Sequence, residues 1–321
     1  MGERYKEGMP LTTALAVEGK ILVGGGGGNP LFGFPNKLSL LTPRLELLHE
    51  VIVKSVVVSA KAYQNQVIVS YEDSSELFTI HKNTIQGPVH FPEGASSPII
   101  LDNQIHFVAK EGIYECSVEA FLDNPDFPYP LTEKKTTDKV ISILGINNQL
   151  GEIVTKENEY LLSQKGEQSL LDGEICDYTS ERSLGYIVQL PKSTRSVVTM
   201  TSHGKTHRVI ESKCIVIHCL SNQSFLVGNG DGYIINYSRG KELWRSKVFS
   251  TPVSSITSIG KTVICTSING RVSVISTSSA KVFIKVGAAI GAIGAAALLR
   301  HWGMAAAKGL FHRAVDAAFG A

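Results

Sequence analysis

The residues whose types and spacing point most directly to chemistry lie in one glycine-rich segment. Five consecutive glycines, Gly24 to Gly28, precede Asn36, and the bulky apolar residues Leu31, Phe32 and Phe34 lie between them. A folded protein keeps such glycines where the chain turns sharply or where another group approaches the backbone. Backbone carbonyls and one side-chain amide can hold an ion, and exposed apolar residues can anchor a protein. The segment is therefore predicted to be a functional loop, with an ordinary turn as the alternative.

The phosphate-binding motifs that glycine-rich loops often form are absent here. A Gly-x-Gly-x-x-Gly fingerprint counted from any of the first three glycines places Asn29, Pro30 or Leu31 at its last position. A P-loop needs lysine directly after its final glycine, whereas Phe34 follows Gly33. The spacing therefore excludes both nucleotide motifs.

The sequence also lacks the common constellations of covalent catalysis. It contains neither Gly-x-Ser-x-Gly nor His-Glu-x-x-His. His203 and His207 are four residues apart in a Thr/Gly/Lys-rich segment, where solvated side chains are expected rather than metal ligands. Asp73, Glu76 and Glu111 occupy positions where hairpin turns are ordinarily charged. We therefore expect no acid–base or nucleophilic catalysis.

Composition indicates the surroundings in which the chain works. Its five cysteines are dispersed without Cys-x-x-Cys spacing, which favours a reducing compartment over a disulfide framework or a zinc site. Residues 1–10 lack the apolar core of a secretory signal, so the bulk of the chain is expected in the cytosol. Residues 1–280 carry a net charge of −2, which argues against nucleic acid as a partner.

The elements that must position the loop are predicted to be strands. Short apolar runs alternate with turn residues, and long helical periodicity is missing before residue 280. Turns assigned at seven positions are separated by 38, 38, 39, 34, 47 and 38 residues: Asn36, Ser74, Gly112, Gly151, Gly185, Gly232 and Gly270. Because propeller blades repeat at about 40 residues, the pattern predicts an all-β, seven-bladed WD-type propeller over residues 1–280.

Further details of this propeller are predicted from composition. The N-terminal strand is expected to help close the ring. Segments 119–138 and 155–174 are rich in Pro, Asp, Glu and Lys, and they are predicted to be longer loops between strands.

The C-terminal region differs sharply in composition. Val282 to Leu299 is apolar apart from Lys285, and as a helix it would extend about 27 Å, close to the thickness of a thin bilayer. Residues 281–299 are therefore predicted to form a transmembrane helix, with a buried or interfacial helix as the alternative. Residues 300–321 are predicted to be a short lumenal or interfacial amphipathic tail.

The glycine-rich segment resembles a loop of the Sec-twelve family (PREB in animals). That loop consists of four glycines, four variable residues, glycine, an aliphatic residue, any residue and asparagine. Gly25 to Gly28, four further residues, and Gly33-Phe34-Pro35-Asn36 follow the pattern without a gap, although Phe34 replaces the aliphatic residue. The resemblance is specific over about thirty residues. It implies a β-propeller anchored in the endoplasmic reticulum membrane that exchanges GDP for GTP on Sar-one, the small GTPase of the COPII coat.

The same resemblance implies a role for each residue of the loop. A potassium ion would be the cofactor, held by the backbone of Gly25, Gly26, Gly27 and Gly28 and by the Asn36 side chain. Phe34 and Asn36 would carry the exchange activity. Contacts with the GTPase would come from a set of neighbouring residues: Leu31, Phe32, Gly33, Phe34, Pro35 and Lys37.

Two other functional classes remain open at this point. A propeller that only scaffolds protein interactions is one, because a fold alone does not fix a function. The other is a quinoprotein-like propeller, because Asp231-Gly232-Tyr233 together with the stretch from Gly240 to Trp244 resembles the repeat of that group.

Overall fold

The structure is a computed structural model, and it describes most of the first 276 residues. The described residues are 4–6, 9–26, 34–109, 112–123, 132–134, 140–146, 149–156, 159–164, 167–171, 173–181, 184–191, 196–202, 205–212, 214–221 and 224–276. Apart from the last two residues of the final strand, the sheets lie in a compact unit that spans Met1–Val274.

The described strands form seven antiparallel sheets of four strands each, here called blades 1 to 7. The first strand, β1 (Arg4–Lys6), belongs to blade 7. Blade 1 contains β2 (Leu11–Val17), β3 (Lys20–Gly25), β4 (Lys37–Leu41) and β5 (Leu47–Ile52). Blade 2 contains β6 (Ser59–Tyr63), β7 (Gln66–Ser70), β8 (Ser75–His81) and β9 (Thr84–His90). Blade 3 contains β10 (Ser96–Leu101), β11 (Gln104–Ala109), β12 (Gly112–Ser117) and β13 (Thr132–Lys134), with the short helix α1 (Val118–Asp123) after β12.

The remaining blades repeat this arrangement. Blade 4 contains β14 (Val140–Ile146), β15 (Gln149–Lys156), β16 (Glu159–Gln164) and β17 (Glu167–Leu171). Blade 5 contains β18 (Gly173–Glu181), β19 (Leu184–Pro191), β20 (Ser196–Ser202) and β21 (Lys205–Ser212). Blade 6 contains β22 (Cys214–Ser221), β23 (Ser224–Asn229), β24 (Tyr233–Ser238) and β25 (Lys241–Lys247). Blade 7 contains β26 (Val253–Ile259), β27 (Thr262–Ser267) and β28 (Arg271–Ser276), followed by β1 as its outer strand.

The blades close into a ring, so the fold is a β-propeller. The first strand of each blade contacts the first strand of the next, and β26 of blade 7 contacts β2 of blade 1. The N-terminal strand β1 pairs with β28, with Tyr5 opposite Val272. The predicted seven blades and the predicted closure by an N-terminal strand are both confirmed.

The hydrophobic core lies between neighbouring blades. Leu40 of blade 1 packs in one buried cluster with Phe78 of blade 2, and Ile68 of blade 2 packs in another with Phe107 of blade 3. Because the second strand of a blade is covered on both faces, β3, β7, β23 and β27 are buried over consecutive residues instead of alternating. This explains why apolar runs were a better guide to the strands than period-two alternation.

Strand alternation places the connections on two opposite faces of the ring. The upper face is defined here by the connections between second and third strands and by those between blades. Its described residues in blades 1, 2, 6 and 7 include 26, 34–36, 53–58, 71–74, 91–95, 230–232, 248–252 and 268–270. The described ends of the predicted site loop, Gly26 and residues 34–36, therefore lie on the upper face.

Three of the seven predicted turn residues lie within strands. Gly112 begins β12, next to the expected connection between second and third strands, whereas the other two lie near the wrong connection. Gly151 lies within β15 and Gly185 within β19, each close to the connection between first and second strands. Those connections lie on the face opposite the upper one. Because these two turns were assigned to the wrong face, the fourth and fifth units of the predicted repeat had uneven lengths. Glycine is suited to turns at either end of a strand, so its presence does not show on which face a turn lies.

The two segments predicted as long loops contain regular structure. Segment 119–138 includes most of α1 and all of β13, and segment 155–174 includes β16 and β17. Leu162 and Leu171 are buried there, which shows that the charged residues around them did not prevent strand formation. The predicted transmembrane helix of residues 281–299 lies outside the described residues. Within the part of the chain that the structure describes, no helix has the length and apolar character needed to cross a membrane.

Candidate functional site

The glycines at the end of β3 are required by close backbone packing. Gly25 pairs with Leu11 on one side and Lys37 on the other, and a Cβ atom on Gly25 would overlap the carbonyl oxygen of Pro10. The Gly26 amide donates a 3.1 Å hydrogen bond to the same carbonyl. A side chain at Gly25 would therefore displace the segment that precedes β2.

Asn36 lies against this glycine backbone at the base of the loop. A Cβ atom on Gly26 would overlap the Asn36 side-chain oxygen and would lie 2.8 Å from the Asn36 Cα atom. Asn36 is only 9% exposed, and its carbonyl oxygen accepts a 2.9 Å hydrogen bond from the amide of Val53. The side-chain amide is thus held beside the glycine run, as an oxygen ligand for an ion would have to be.

The predicted ion ligands are described only in part. Gly25, Gly26 and Asn36 lie together at the loop base, whereas Gly27 and Gly28 fall outside the described residues. Groups of three or more His, Cys, Asp or Glu residues that could hold a metal do not occur in the described ranges. Any ion at this loop would therefore depend on carbonyl and amide oxygens, which are the groups that hard cations such as potassium accept.

The predicted partner contacts differ in exposure. Phe34 is 45% exposed and Pro35 is also exposed, so both are accessible on the upper face. Lys37 is largely buried, and its Nζ atom lies 3.0 Å from Glu50 Oε2 on the neighbouring strand. Leu31, Phe32 and Gly33 lie outside the described residues. Among the predicted partner contacts that the structure describes, Phe34 is the one with a large, exposed apolar side chain.

Apolar residues that the sequence did not indicate extend this surface. Ile52 is paired with Lys37 at the end of β5 and is 70% exposed, and Val58 is exposed in the connection that follows. Ile215 at the start of β22 and Ile268 after β27 are exposed on the same face. Together with Phe34, they account for five of the seven large apolar side chains exposed among the described residues.

This concentration of apolar residues characterises the upper face. The five residues belong to blades 6, 7, 1 and 2, which are consecutive around the ring. We call them the apolar arc: Phe34, Ile52, Val58, Ile215 and Ile268. Exposed apolar residues gathered on one face are typical of a surface that binds another protein.

The connection between blades 1 and 2 contacts the buried carboxylate of Glu76. The sequence analysis placed Glu76 in a hairpin turn, and that prediction was wrong. Glu76 is not a turn residue but lies on β8, where it is 2% exposed. It accepts a hydrogen bond from the Tyr71 hydroxyl, and one of its oxygens lies 3.5 Å from Lys54 Nζ and 3.1 Å from His90 Nδ1. Lys54 belongs to the 53–58 connection, so Glu76 holds that connection against blade 2.

The surroundings of the Tyr71 hydroxyl, which donates the hydrogen bond to Glu76, keep it protonated. Burial raises the pKa of the Tyr71 phenol, and the hydrogen bond and negative charge of Glu76 raise it further. Lys54 Nζ also lies 5.4 Å from the centroid of the Tyr71 ring.

The prediction that Asp73 is a turn residue is confirmed, since Asp73 is exposed between β7 and β8. Glu111 and His203 lie outside the described residues, as does the side chain of His207.

Comparison with known proteins supports the fold and leaves the family open. No protein-family model matches the chain, and no curated protein matches its sequence. Among solved structures, the WD40 domain of Neurospora crassa Pan2 is similar, with a TM-score of 0.60, 10% identity, and coverage of 83% of this chain and 88% of that domain. The computationally designed Ika8 protein is also similar, with a TM-score of 0.55, 12% identity, and coverage of 84% of this chain and 97% of that protein.

Identities this low bear on the fold alone. The resemblance of residues 25–38 to the Sec-twelve loop remains a prediction, and so do the potassium ion and the GTPase that it implies. The described residues are nearly all β, and they form a WD40-type β-propeller.

Proposed function

We propose that this chain is a guanine-nucleotide exchange factor for the small GTPase of the COPII coat, of the Sar-one type. It would act at the endoplasmic reticulum membrane, with the propeller facing the cytosol and residues 281–299 as its anchor. One observation carries the proposal: the buried Asn36 packs against Gly26 while the nearby Phe34 is exposed. The Sec-twelve loop pattern has glycine and asparagine at the positions of Gly26 and Asn36, and an aliphatic residue at the position of Phe34.

An exchange factor needs no acid, base or nucleophile. It accelerates nucleotide release because it binds the nucleotide-free GTPase more tightly than the loaded one, and this differential affinity shifts the equilibrium. The site must therefore present a rigid surface to the GTPase. The packed loop base at Gly25, Gly26 and Asn36 meets this requirement.

The ion would act on the loop and not on the nucleotide. Gly25 to Gly28 would offer backbone carbonyls and Asn36 its side-chain oxygen, and a bound potassium ion would supply a positive charge that orders the loop. Ordering before contact reduces the entropy that the loop loses when it binds the GTPase. Asn36 is already immobilised by its contacts with Gly26 and Val53, so it would hold its oxygen in place.

Phe34 would provide the main apolar contact with the GTPase. Leu31, Phe32, Gly33 and Pro35 would surround it, and Ile52 and Val58 would continue the same surface toward blade 2. Aromatic residues at the centre of an interface often contribute about 2 kcal/mol or more to binding.

The test is the rate of GDP release from purified Sar-one-type GTPase in the presence of the full chain. We expect the wild-type chain to accelerate release and Phe34→Ala to reduce the acceleration about tenfold or more, which corresponds to about 1.4 kcal/mol. Leu243→Ala is the matched control, because Leu243 is comparably exposed but lies on the outer strand β25. No acceleration by the wild-type chain would contradict the proposal, as would equal effects of the two variants.

A protein-interaction scaffold is the second candidate. The apolar arc spans four blades, which is wider than one loop, and such a surface suits a partner that is bound without being altered. Binding of the GTPase that survives Phe34→Ala, without any acceleration of GDP release by the wild-type chain, would favour the scaffold over the exchange factor.

A further inference from the structure

The last described strand ends on the face of the propeller opposite the candidate loop. We call this face the lower face, and it is formed by the connections between first and second strands and between third and fourth strands of each blade. Strand β28 starts after the upper-face connection 268–270, so its final residue, Ser276, lies at the lower face. The candidate loop and the end of β28 are therefore at opposite ends of the strands.

The lower face of blades 6, 7, 1 and 2 carries a net positive charge. Among the described side chains, its connections and the strand residues next to them contain two acidic residues, Glu18 and Glu46. The same positions contain six basic residues: Lys20, Arg44, Lys82, Arg239, Lys241 and Lys261. Six positive and two negative charges give this set a formal charge of +4. Arg239 and Lys261 also have interactions within the propeller, but a net charge acts at a distance and does not require every cation to be unpaired.

The upper face of the same four blades has no such excess. Counted in the same way, its described acidic side chains are Glu72, Asp73, Glu93 and Asp231. Its described basic side chains are Lys37, Lys54, Lys247 and Arg271. The four charges of each sign cancel, so the propeller is positive at its lower end and neutral at its upper end in this sector.

Three of the lower-face cations are exposed at the ends of strands. Arg44 lies in the connection between β4 and β5, where its backbone amide donates a 3.2 Å hydrogen bond to Thr42 Oγ1. Lys82 lies in the two-residue connection between β8 and β9 with a φ of +52°, and Lys241 begins β25. Their positions at the blade ends make these charges available to a surface below the ring.

Blade 3 limits the basic surface. Its lower face has Asp102 between β10 and β11, and Glu119 and Asp123 on α1. The positive charge is thus confined to one sector of the ring, and blade 7, whose strand β28 ends at Ser276, belongs to that sector.

The segment between β28 and the predicted anchor is short. Residues 277–280 separate Ser276 from Lys281, where the predicted anchor begins, so the anchor can start at most about 18 Å from the end of β28. A seven-residue strand such as β25 extends about 24 Å from one face to the other. The connecting segment is therefore shorter than the blade, and a membrane that holds the anchor would meet the lower face before the upper one.

We propose that the lower face of blades 6, 7, 1 and 2 rests on an anionic lipid surface. Basic side chains are attracted to a bilayer that contains phosphatidylserine or phosphatidylinositol, and the attraction acts within about a Debye length. The proposal rests on the membrane anchor of the proposed function and adds an orientation to it. The upper face, with Phe34 and Asn36, points away from the bilayer and into the cytosol.

The test is the rate at which a membrane-impermeant reagent acetylates individual lysines of the full chain reconstituted into vesicles. Peptide mass spectrometry compares vesicles of phosphatidylcholine with vesicles that contain about one third phosphatidylserine. Lys241 and Lys247 form a matched pair, because both are exposed and they lie at opposite ends of β25. We expect phosphatidylserine to slow the acetylation of Lys241 and Lys82 about threefold or more and to leave Lys247 nearly unchanged. An ionic strength of about 0.5 M should remove this protection, because salt screens the attraction.

Charge reversal tests the surface directly. Arg44→Glu should reduce the protection of Lys82 and Lys241 about twofold or more. Arg271→Glu is the matched control, because Arg271 is equally an exposed arginine but lies at the upper face, and it should leave the protection unchanged. Equal effects of the two variants would overturn the proposal.

Two results with the wild type would overturn the proposal without any variant. One is an equal rate of Lys241 acetylation in the two kinds of vesicle, and the other is protection of Lys247 in place of Lys241. A full chain that floats with neither kind of vesicle would overturn it as well. GDP release measured in detergent needs no bilayer, so that assay tests the exchange activity separately from the orientation.

Discussion

The backbone amide of Val53 donates a 2.9 Å hydrogen bond to the carbonyl oxygen of Asn36, and this bond joins the candidate loop to the connection between blades 1 and 2. The next residue, Lys54, approaches the buried Glu76 of blade 2. The base of the loop is therefore fixed by two blades, while Phe34 remains exposed above it. Substitutions at the base, as at Asn36 and Gly26, can therefore be compared with a substitution at the exposed Phe34.

Asn36→Ala should slow nucleotide exchange without unfolding the propeller. It removes the side-chain oxygen proposed to hold potassium, so we expect GDP release to slow about tenfold or more in potassium buffer. Replacing potassium by lithium should slow the wild type similarly and should have little further effect on the variant. Asn65→Ala, at the opposite face, is the control. An Asn36→Ala variant that retains full, potassium-dependent exchange would remove the ion from the mechanism.

Gly26→Ala should disturb the loop base through steric overlap. The added Cβ atom would overlap the Asn36 side chain, so the end of β3 must move, at a cost of about 1 to 3 kcal/mol in the free energy of unfolding. Gly230→Ala is the matched control on the same face, because its Cβ would meet only Ile215 at 3.7 Å. Urea denaturation measures both variants. Equal stabilities would show that the loop base tolerates a side chain.

Glu76→Ala should destabilise the fold more than removal of an exposed glutamate. It leaves the buried Tyr71 hydroxyl without its acceptor, Lys54 without its counter-charge and His90 Nδ1 without its carboxylate contact, so we expect a loss of about 2 to 4 kcal/mol. Glu50→Ala, which breaks the partly exposed pair with Lys37, should cost less than about 1 kcal/mol. Denaturation at pH 7 distinguishes the two. A cost for Glu76→Ala within that of Glu50→Ala would refute the role assigned to Glu76.

His218 should make stability depend on pH in a defined window. Its pKa falls from 6.5 to about 4 in the folded chain, so the unfolded state binds the proton more readily between these values. Stability should therefore decrease as the pH falls from 6.5 to 4, by roughly 3 kcal/mol from this group, and change no further below pH 4. His218→Gln should lack this component. The measurement is the free energy of unfolding of both proteins from pH 7 to 4, and parallel curves would contradict the prediction.

The C-terminal residues should determine membrane attachment. Because residues 282–299 are apolar apart from Lys285, the full chain should resist extraction from membranes by alkaline carbonate, whereas residues 1–280 alone should remain folded and soluble. The fractions can be compared by sedimentation and circular dichroism. Release of the full chain by carbonate would show that this segment does not span the bilayer.

Local chemistry was sufficient to predict the repeated blades. Asp231-Gly232 forms the turn between β23 and β24, where Gly232 has a φ of +80° and the Asn229 side chain accepts hydrogen bonds of 3.1 and 2.9 Å from the amides of Asp231 and Tyr233. These preferences act over four or five residues, so the sequence displays them directly. The glycine run and Asn36 were likewise visible as one candidate loop, because their spacing is short.

The long-range arrangement was decided only by the tertiary structure. Gly151 and Gly185 have the composition of turn residues, but only pairing with neighbouring strands determines at which end of a strand a turn lies. Glu76 looked like a surface charge because its partners Lys54 and His90 lie 22 and 14 residues away. His90 meets it when β8 and β9 pair, and Lys54 meets it when the connection between blades 1 and 2 packs against blade 2. The apolar arc draws on blades far apart in the chain. Ring closure creates it, because it places the ends of distant strands on one face.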